Sequence, residues 1–293
     1  MSDEGSLTET ASRESEPFFA SGVVGLVAGS GALPLQFART MQQQGRALMV
    51  AAHLGETDPE MEHLAGKLSW IRLGQVKRAL HFFRQHAVTD VVFVGGIQKT
   101  RIWSMRPDML AIRLMAKLRH KHDDHLLRAI AAEVERHGFA VRSVTDYMPE
   151  LLASEGVLTQ REPSEAEWDD IRFGWQAAKA LGALDIGQGL VVRDRVVAAV
   201  EALEGTDALI RRAGPLTAGQ GVMIKTAKPN QDLRLDLPTI GPGTMESLHA
   251  SGLSVMAIEA GRVMILDPGE TFALADRYGL TVVACRAAEM GRH

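Results

Sequence analysis

The chain has 293 residues, 46% hydrophobic and 23% charged, with a formal net charge of −4. It is long enough for a substantial core and for two domains, and it lacks the global basic field of a general nucleic-acid binder, so no nucleic-acid partner is expected. One cysteine, Cys285, excludes an intramolecular disulfide framework and fits a cytoplasmic protein in which the thiol packs rather than reacts.

Residues 1–21 are rich in Ser, Glu and Thr, without the basic start and apolar run of a secretory signal, and are expected to form a flexible tail. Val23 to Ala28 is a short buried-strand pattern, followed by Gly29-Ser30-Gly31 and a helical segment from Leu33 to about Gly45. Arg46 to Ala52, Val91 to Val94 and Phe139 to Val144 read as further strands, with helical stretches at Gln75 to Ala87 and Asp124 to His137. That alternation predicts a Rossmann-like parallel sheet over 22–148. A connection rich in Pro, Gly, Ser and charge is expected over 149–164. A mixed α/β domain over 165–285 follows, with a short tail at 286–293. Its strands are expected at Gly189 to Val192, Val196 to Val200, Val222 to Ile224, Val255 to Ile258 and Val263 to Leu266. Helices at Thr244 to Ala250 and Glu270 to Tyr278 stop at Gly252 and Gly279. The fold class is therefore α/β in two domains, with a ligand cleft between them. No apolar run approaches the ~20 residues needed to span a bilayer, so any membrane contact is expected to be peripheral.

The densest chemistry lies between Lys225 and Gly241, where three cations, two carboxylates and two amides fall between or beside two prolines. Pro229 and Pro238 exclude the middle of a long helix, leaving strand or ordered loop. If extended, the segment would set Asp232, Arg234 and Asp236 on one face and Leu233, Leu235 and Leu237 on the other. The two carboxylates would then be roughly 13 Å apart, too far to share a magnesium ion at about 2.1 Å, so a shared metal requires a bend. A surface ion-pair ladder is the alternative to a phosphate site.

Gly29 and Gly31 fit a phosphate-binding turn or a simple tight turn. The third glycine of a dinucleotide fingerprint is replaced by Pro34, and no acid follows the second strand at His53, which argues against NAD. His120, His122, Asp123, Asp124 and His125 cluster at a helix start, where capping competes with metal ligation. Met109 to Arg119 is amphipathic and cationic, fitting either a core-facing helix or one lying on lipid. Glu204, Thr206 and Asp207 follow a strand and offer a helix cap at Thr206 or Asp207, or carboxylates for a metal.

Gly-Ser-Gly-Ala-Leu-Pro at 29–34, Asp-Asp-His-Leu-Leu at 123–127, Asp-Ile-Gly-Gln at 185–188, Val-Glu-Ala-Leu-Glu-Gly-Thr-Asp at 200–207 and the 225–241 stretch together resemble the LpxI family over about residues 22 to 285. The resemblance implies hydrolysis of the pyrophosphate of UDP-2,3-diacylglucosamine to UMP and 2,3-diacylglucosamine 1-phosphate, lipid X, in lipid A biosynthesis. It also implies a divalent ion, Mg2+ or Mn2+, and ligand held between the domains. The spaced Asp-x-His and Gly-Asp motifs of a dinuclear metallophosphatase are lacking. A pyrophosphate needs cations on its oxygens and a group to activate water. Lys225, Lys228 and Arg234 are accordingly assigned to phosphate charge, and Asp232 or Asp236 to metal or water. Gln188, Thr206, Gln231, Gly29, Gly31, Asp123 and Asp124 are the further substrate-binding candidates, and Asp207 and Glu204 further metal ligands. A peripheral association with the inner membrane is expected, with the 109–119 helix as its candidate surface, and a homodimer is the assembly to test. The competing functions are a nicotinamide-dependent oxidoreductase and a non-catalytic nucleotide- or lipid-binding regulator.

Overall fold

A computed structural model describes residues 22–97, 106–117 and 123–290, apart from the side chains of 117 and 123–125. The tail expected over 1–21, His120 and His122 lie outside the described residues.

The first half alternates strand and helix as its periodicity predicts: β1 (Val23–Ala28), α1 (Leu33–Gln43), β2 (Leu48–His53), the single turn α2 (Met61–Leu64), β3 (Lys67–Ile71), α3 (Val76–Gln85), β4 (Val88–Val94), α4 (Met109–Lys117), α5 (Asp123–Arg136) and β5 (Ala140–Arg142). All five strands pair in parallel, in the order β3-β2-β1-β4-β5. Alternate strand residues feed two cores, because side chains two apart share a sheet face. Leu26, Val50 and Val92 meet Phe37 and Met41 of α1 in one core. Ala51 and Val91 meet Leu80 and Phe83 of α3 in the other. The strand order reverses between β1 and β4, and the crevice beyond the carboxyl ends at such a switch is where open α/β sheets hold ligands.

Residues 149–164 are anchored against the second half. Ala153 donates its N–H to the Val263 carbonyl (3.0 Å), and β6 (Gly156–Val157) joins the second sheet. There follow α6 (Glu165–Ala183), β7 (Gly189–Arg193), β8 (Val196–Val200), α7 (Thr206–Leu216), β9 (Val222–Lys225), β10 (Thr239–Ile240), α8 (Pro242–Ser251), β11 (Val255–Glu259), β12 (Met264–Ile265), α9 (Pro268–Arg277), β13 (Thr281–Cys285) and the turn α10 (Ala287–Met290). The second sheet is mixed, in the order β6-β13-β11-β9-β7-β8. Its centre β13-β11-β9 is parallel, while β6, β7 and β8 run antiparallel to their neighbours. Gly174 lets α6 lie directly on this sheet, since a Cβ there would stand 2.2 Å from Ile224 Cδ1. The segment expected as a C-terminal tail starts with α10, whose Met290 carbonyl accepts the Gln176 amide (3.0 Å).

On α4, Ala111 and Leu114 are buried and Leu110 packs on the α3–α5 core, while Met109 and Ile112 are exposed; residues 118–119 of the expected helix lie outside the described residues. One expectation is corrected. The cap expected at Thr206 or Asp207 falls instead on Gly205, whose φ of +82° suits glycine, and Thr206 begins α7. Among the described residues no helix is long and apolar enough to cross a membrane.

Candidate functional site

The 226–238 segment leaves the carboxyl end of β9 as an ordered loop. Leu235 and Asp236 both donate their N–H to the Asp232 carbonyl (3.0 and 3.2 Å), which replaces the extended strand considered from sequence by a single helical turn. The turn lies across the first sheet: Leu237 packs on the α1 side, Leu235 on the α3–α5 side, and Ser143, just past β5, donates to the Leu233 carbonyl (3.3 Å). Apolar alternation thus survives in Leu235 and Leu237 although the backbone is not extended.

The loop is held at both ends. Near its start, Glu259 at the end of β11 is 2% exposed, and its Oε2 accepts the Ala227 N–H (2.9 Å) and Lys179 Nζ (2.6 Å). Further along, Arg234 makes a two-pronged pair with Asp232 (3.0 and 2.8 Å) and reaches Glu135 of α5 (2.7 Å). Arg128, also on α5, donates to the Asn230 carbonyl. That guanidinium pair, more than any other influence, holds the Asp232 carboxyl below its ordinary range. Asp236 is placed differently. It accepts the Gln231 side-chain amide (2.9 Å), while the Gln231 oxygen accepts the Lys228 N–H (3.0 Å). Lys228 Nζ pairs with Asp185, in the loop before β7.

Lys225, the last residue of β9, is 4% exposed. Its ammonium donates to Thr206 Oγ1 (2.6 Å), and the Thr206 hydroxyl donates to Glu201 Oε1 (2.8 Å). Burial lowers the Lys225 amine's affinity for its proton, opposed by the fields of Glu201, Asp207 and Asp236. Thr206 contacts the Lys225 ammonium, and the more distant Asp207 and Asp236 bear on it through their charge. Glu204 does not join them: it turns to Arg212 (2.6 Å) and the Ala202 N–H (3.1 Å). Gln188 stands at the same sheet end, its carbonyl accepting the Thr226 N–H (2.9 Å).

At the carboxyl edge of the first sheet, Gly29 has a packing reason independent of ligand. Its N–H meets the Val94 carbonyl (2.8 Å), and a Cβ there would stand 2.3 Å from the Gly96 carbonyl. Gly31 has φ +98° with open space about it. Asp123 and Asp124 open α5, and their side chains lie outside the described set.

Sequence reasoning passed over Glu201, Glu259 and Lys179. Glu201 lies within a motif already singled out, and its signal is the pair of glycines opposite. A Cβ on Gly187 would stand 2.0 Å from the Glu201 carbonyl oxygen, and one on Gly189 2.7 Å from its Oε2.

Hard oxygen donors are what a divalent ion such as magnesium requires. Among the described residues no three acidic, His or Cys side chains converge as a cage. Magnesium is ordinarily held by one or two carboxylates together with substrate phosphates, and this site has that character. Glu201, Asp207 and Asp236 each act electrostatically on Lys225, and Asp207 and Asp236 supply the hard oxygen type such an ion takes.

The LpxI N-terminal domain family matches residues 23–151 and the LpxI C-terminal domain family residues 154–283. The UDP-2,3-diacylglucosamine pyrophosphatase LpxI of Caulobacter vibrioides is 34% identical over 271 residues, spanning 89% of this chain and 96% of that one. Biotin carboxylase structures overlap part of the fold. One is the biotin carboxylase subunit of pyruvate carboxylase (12% identity, 61% of this chain, 35% of that one, TM-score 0.27). Another is the Campylobacter jejuni enzyme in its β-γ-ATP complex (11%, 66%, 41%, TM-score 0.23). At those scores the likeness says nothing of function. With both domain families matched in order, and about a third of residues shared with the Caulobacter protein across nearly the whole of both chains, this chain belongs to the LpxI family.

Proposed function

We propose that this protein hydrolyses the pyrophosphate bond of UDP-2,3-diacylglucosamine, releasing UMP and 2,3-diacylglucosamine 1-phosphate, in lipid A biosynthesis. The observation that carries the reading is its identity with the Caulobacter pyrophosphatase over both domains. The loop after β9 supports it chemically, because it brings cations and a weakly engaged carboxylate to one place.

Water must attack one phosphorus while negative charge grows on the non-bridging oxygens, so fixed cations there lower the barrier. Lys228 and Arg234 carry that charge on the loop itself, and Lys225 supplies a fixed positive field from the buried end of β9. Asp232 is committed to Arg234, and a carboxylate so held is a poor base, so its role is to aim the guanidinium. Asp236 is left to orient the attacking water and take its proton, with Gln231 holding it in place. A magnesium or manganese ion would be held by Asp207 together with substrate phosphate oxygens, where it would neutralise phosphate charge when bound. Gly31 and the open turn around it would receive part of the substrate at the first sheet.

We further place the protein in the cytoplasm, peripheral to the inner membrane, because its substrate carries two acyl chains. On α4, Met109 and Ile112 are the side chains free to meet lipid. Incubating the purified protein with UDP-2,3-diacylglucosamine and magnesium, with and without chelator, should release UMP and lipid X in equal amounts. Intact substrate, bound but not cleaved, would favour a regulator instead.

A further inference from the structure

Among the described residues of this region, Glu201 is a buried carboxylate attached to the site only through another side chain. It is 6% exposed and sits one residue beyond β8. Gly189 on the facing strand makes room for its carboxylate, since a Cβ there would stand 2.7 Å from Oε2, and Gly187 makes room for its backbone carbonyl, 2.0 Å from a Cβ. Burying a carboxylate is costly unless a charge or hydrogen bonds compensate it, so a chain that clears space for one is using it.

The direction of its hydrogen bonds follows from donor chemistry. An ammonium only donates, so Thr206 Oγ1 must accept from Lys225. The single hydroxyl hydrogen of Thr206 is then given to Glu201 Oε1. Thr206 therefore has no hydrogen left for a phosphate oxygen while this chain is intact, and its contribution to the site is to hold Lys225. Glu201 Oε2 is buried with no hydrogen-bond partner.

We propose that Glu201 is a positioning residue for the pyrophosphatase reaction, acting through the Thr206 hydroxyl to hold the Lys225 ammonium in place at the end of β9. This rests on the proposed function for its consequence on turnover, though not for the contact itself. Three segments meet in it: the Gly187-Gln188-Gly189 entrance to β7, the turn from β8 into α7, and the end of β9.

The test compares wild type with Glu201→Gln, Thr206→Val, Thr206→Ser and the Glu201→Gln/Thr206→Val double variant. All would be checked for unchanged far-ultraviolet circular dichroism and urea midpoint. Nζ-15N lysine spectra read the contact without turnover: the wild-type protein should show a protected ammonium resonance that is lost in Lys225→Met. That resonance should be lost or shifted in Glu201→Gln and Thr206→Val and kept in Thr206→Ser. In UMP-release assays, kcat should fall about 10- to 100-fold in Glu201→Gln with KM changed less than about threefold, and the double variant should be no slower than Thr206→Val alone. An unchanged Lys225 resonance in Glu201→Gln, or losses that multiply in the double variant, would overturn the inference. If the spectra behave as expected but no variant, wild type included, releases UMP, the proposed function fails while the Glu201 contact stands.

Discussion

Replacing Lys179 with methionine should destabilise the protein and loosen the loop that carries Lys228 to Asp236. Glu259 lies almost wholly out of water, and its Oε2 is shared between Lys179 Nζ and the Ala227 N–H, while Lys179 also donates to the Ala227 carbonyl (3.1 Å). Removing one partner of a buried ion pair typically costs about 3–5 kcal/mol, because the remaining charge is stranded. Lys179 keeps roughly a quarter of its side chain in water, the Ala227 N–H would remain, and Arg262 stands 3.9 Å from Glu259 Oε1. Those compensations bring the expected loss to about 2–3 kcal/mol. Urea unfolding followed by tryptophan fluorescence is the assay, since Trp168 and Trp175 lie on the same helix as Lys179. A second variant separates charge from packing: Lys179→Met/Glu259→Leu removes both charges and should recover at least half of the loss. An unchanged midpoint in Lys179→Met, or a double variant no better than the single, would refute the reasoning.

Other outcomes follow from the same geometry. Asp232 should contribute stability that is complete above its ordinary pKa of about 4 and lost as pH falls through its lower folded value, since Arg234 depresses it. Acid unfolding of Arg234→Ala should therefore begin at higher pH than that of wild type, and coincident acid transitions would contradict this. The Cys285 thiol is buried, and burial pushes it up to about 12, so a thiol reagent at neutral pH should label it only in denaturant. Labelling of the native protein at the rate of a free thiol would show the strand end to be open. Gly187→Ala should drive a Cβ into the Glu201 carbonyl and cut turnover at least tenfold, as measured by UMP release; wild-type turnover would mean that this loop yields freely.

The first sheet was legible because its strands are short apolar runs between amphipathic helices, and β1, β2 and β4 fall within a few residues of expectation. Gly252 in the left-handed conformation likewise ends α8 where sequence placed it. Other elements were missed although signals existed. Ser164 and Glu167 form a capping box at the start of α6, and residues 281–285 are a wholly buried run that forms β13. The candidate site was legible in residue type but not in partnership. Two prolines and alternating leucines told that the 226–238 segment is ordered, yet extended alternation and a turn both present Leu235 and Leu237 inward. Which aspartate Arg234 would claim depends on that turn. The same limit explains α4, whose periodicity shows an apolar face but not whether core or lipid covers it. Glu201 was hidden because a carboxylate between two loops reads as solvated until the facing Gly189 is known to clear space for it.

The most direct test of the account is UMP release from UDP-2,3-diacylglucosamine by wild type, Asp236→Asn and Asp232→Asn, each folded and each assayed with magnesium and with chelator. The account predicts chelator-sensitive release by wild type, a loss of about 10²-fold or more in kcat for Asp236→Asn, and a smaller loss weighted toward KM for Asp232→Asn. Wild-type kcat in Asp236→Asn, or binding of substrate by the wild-type protein with no UMP formed, would contradict it.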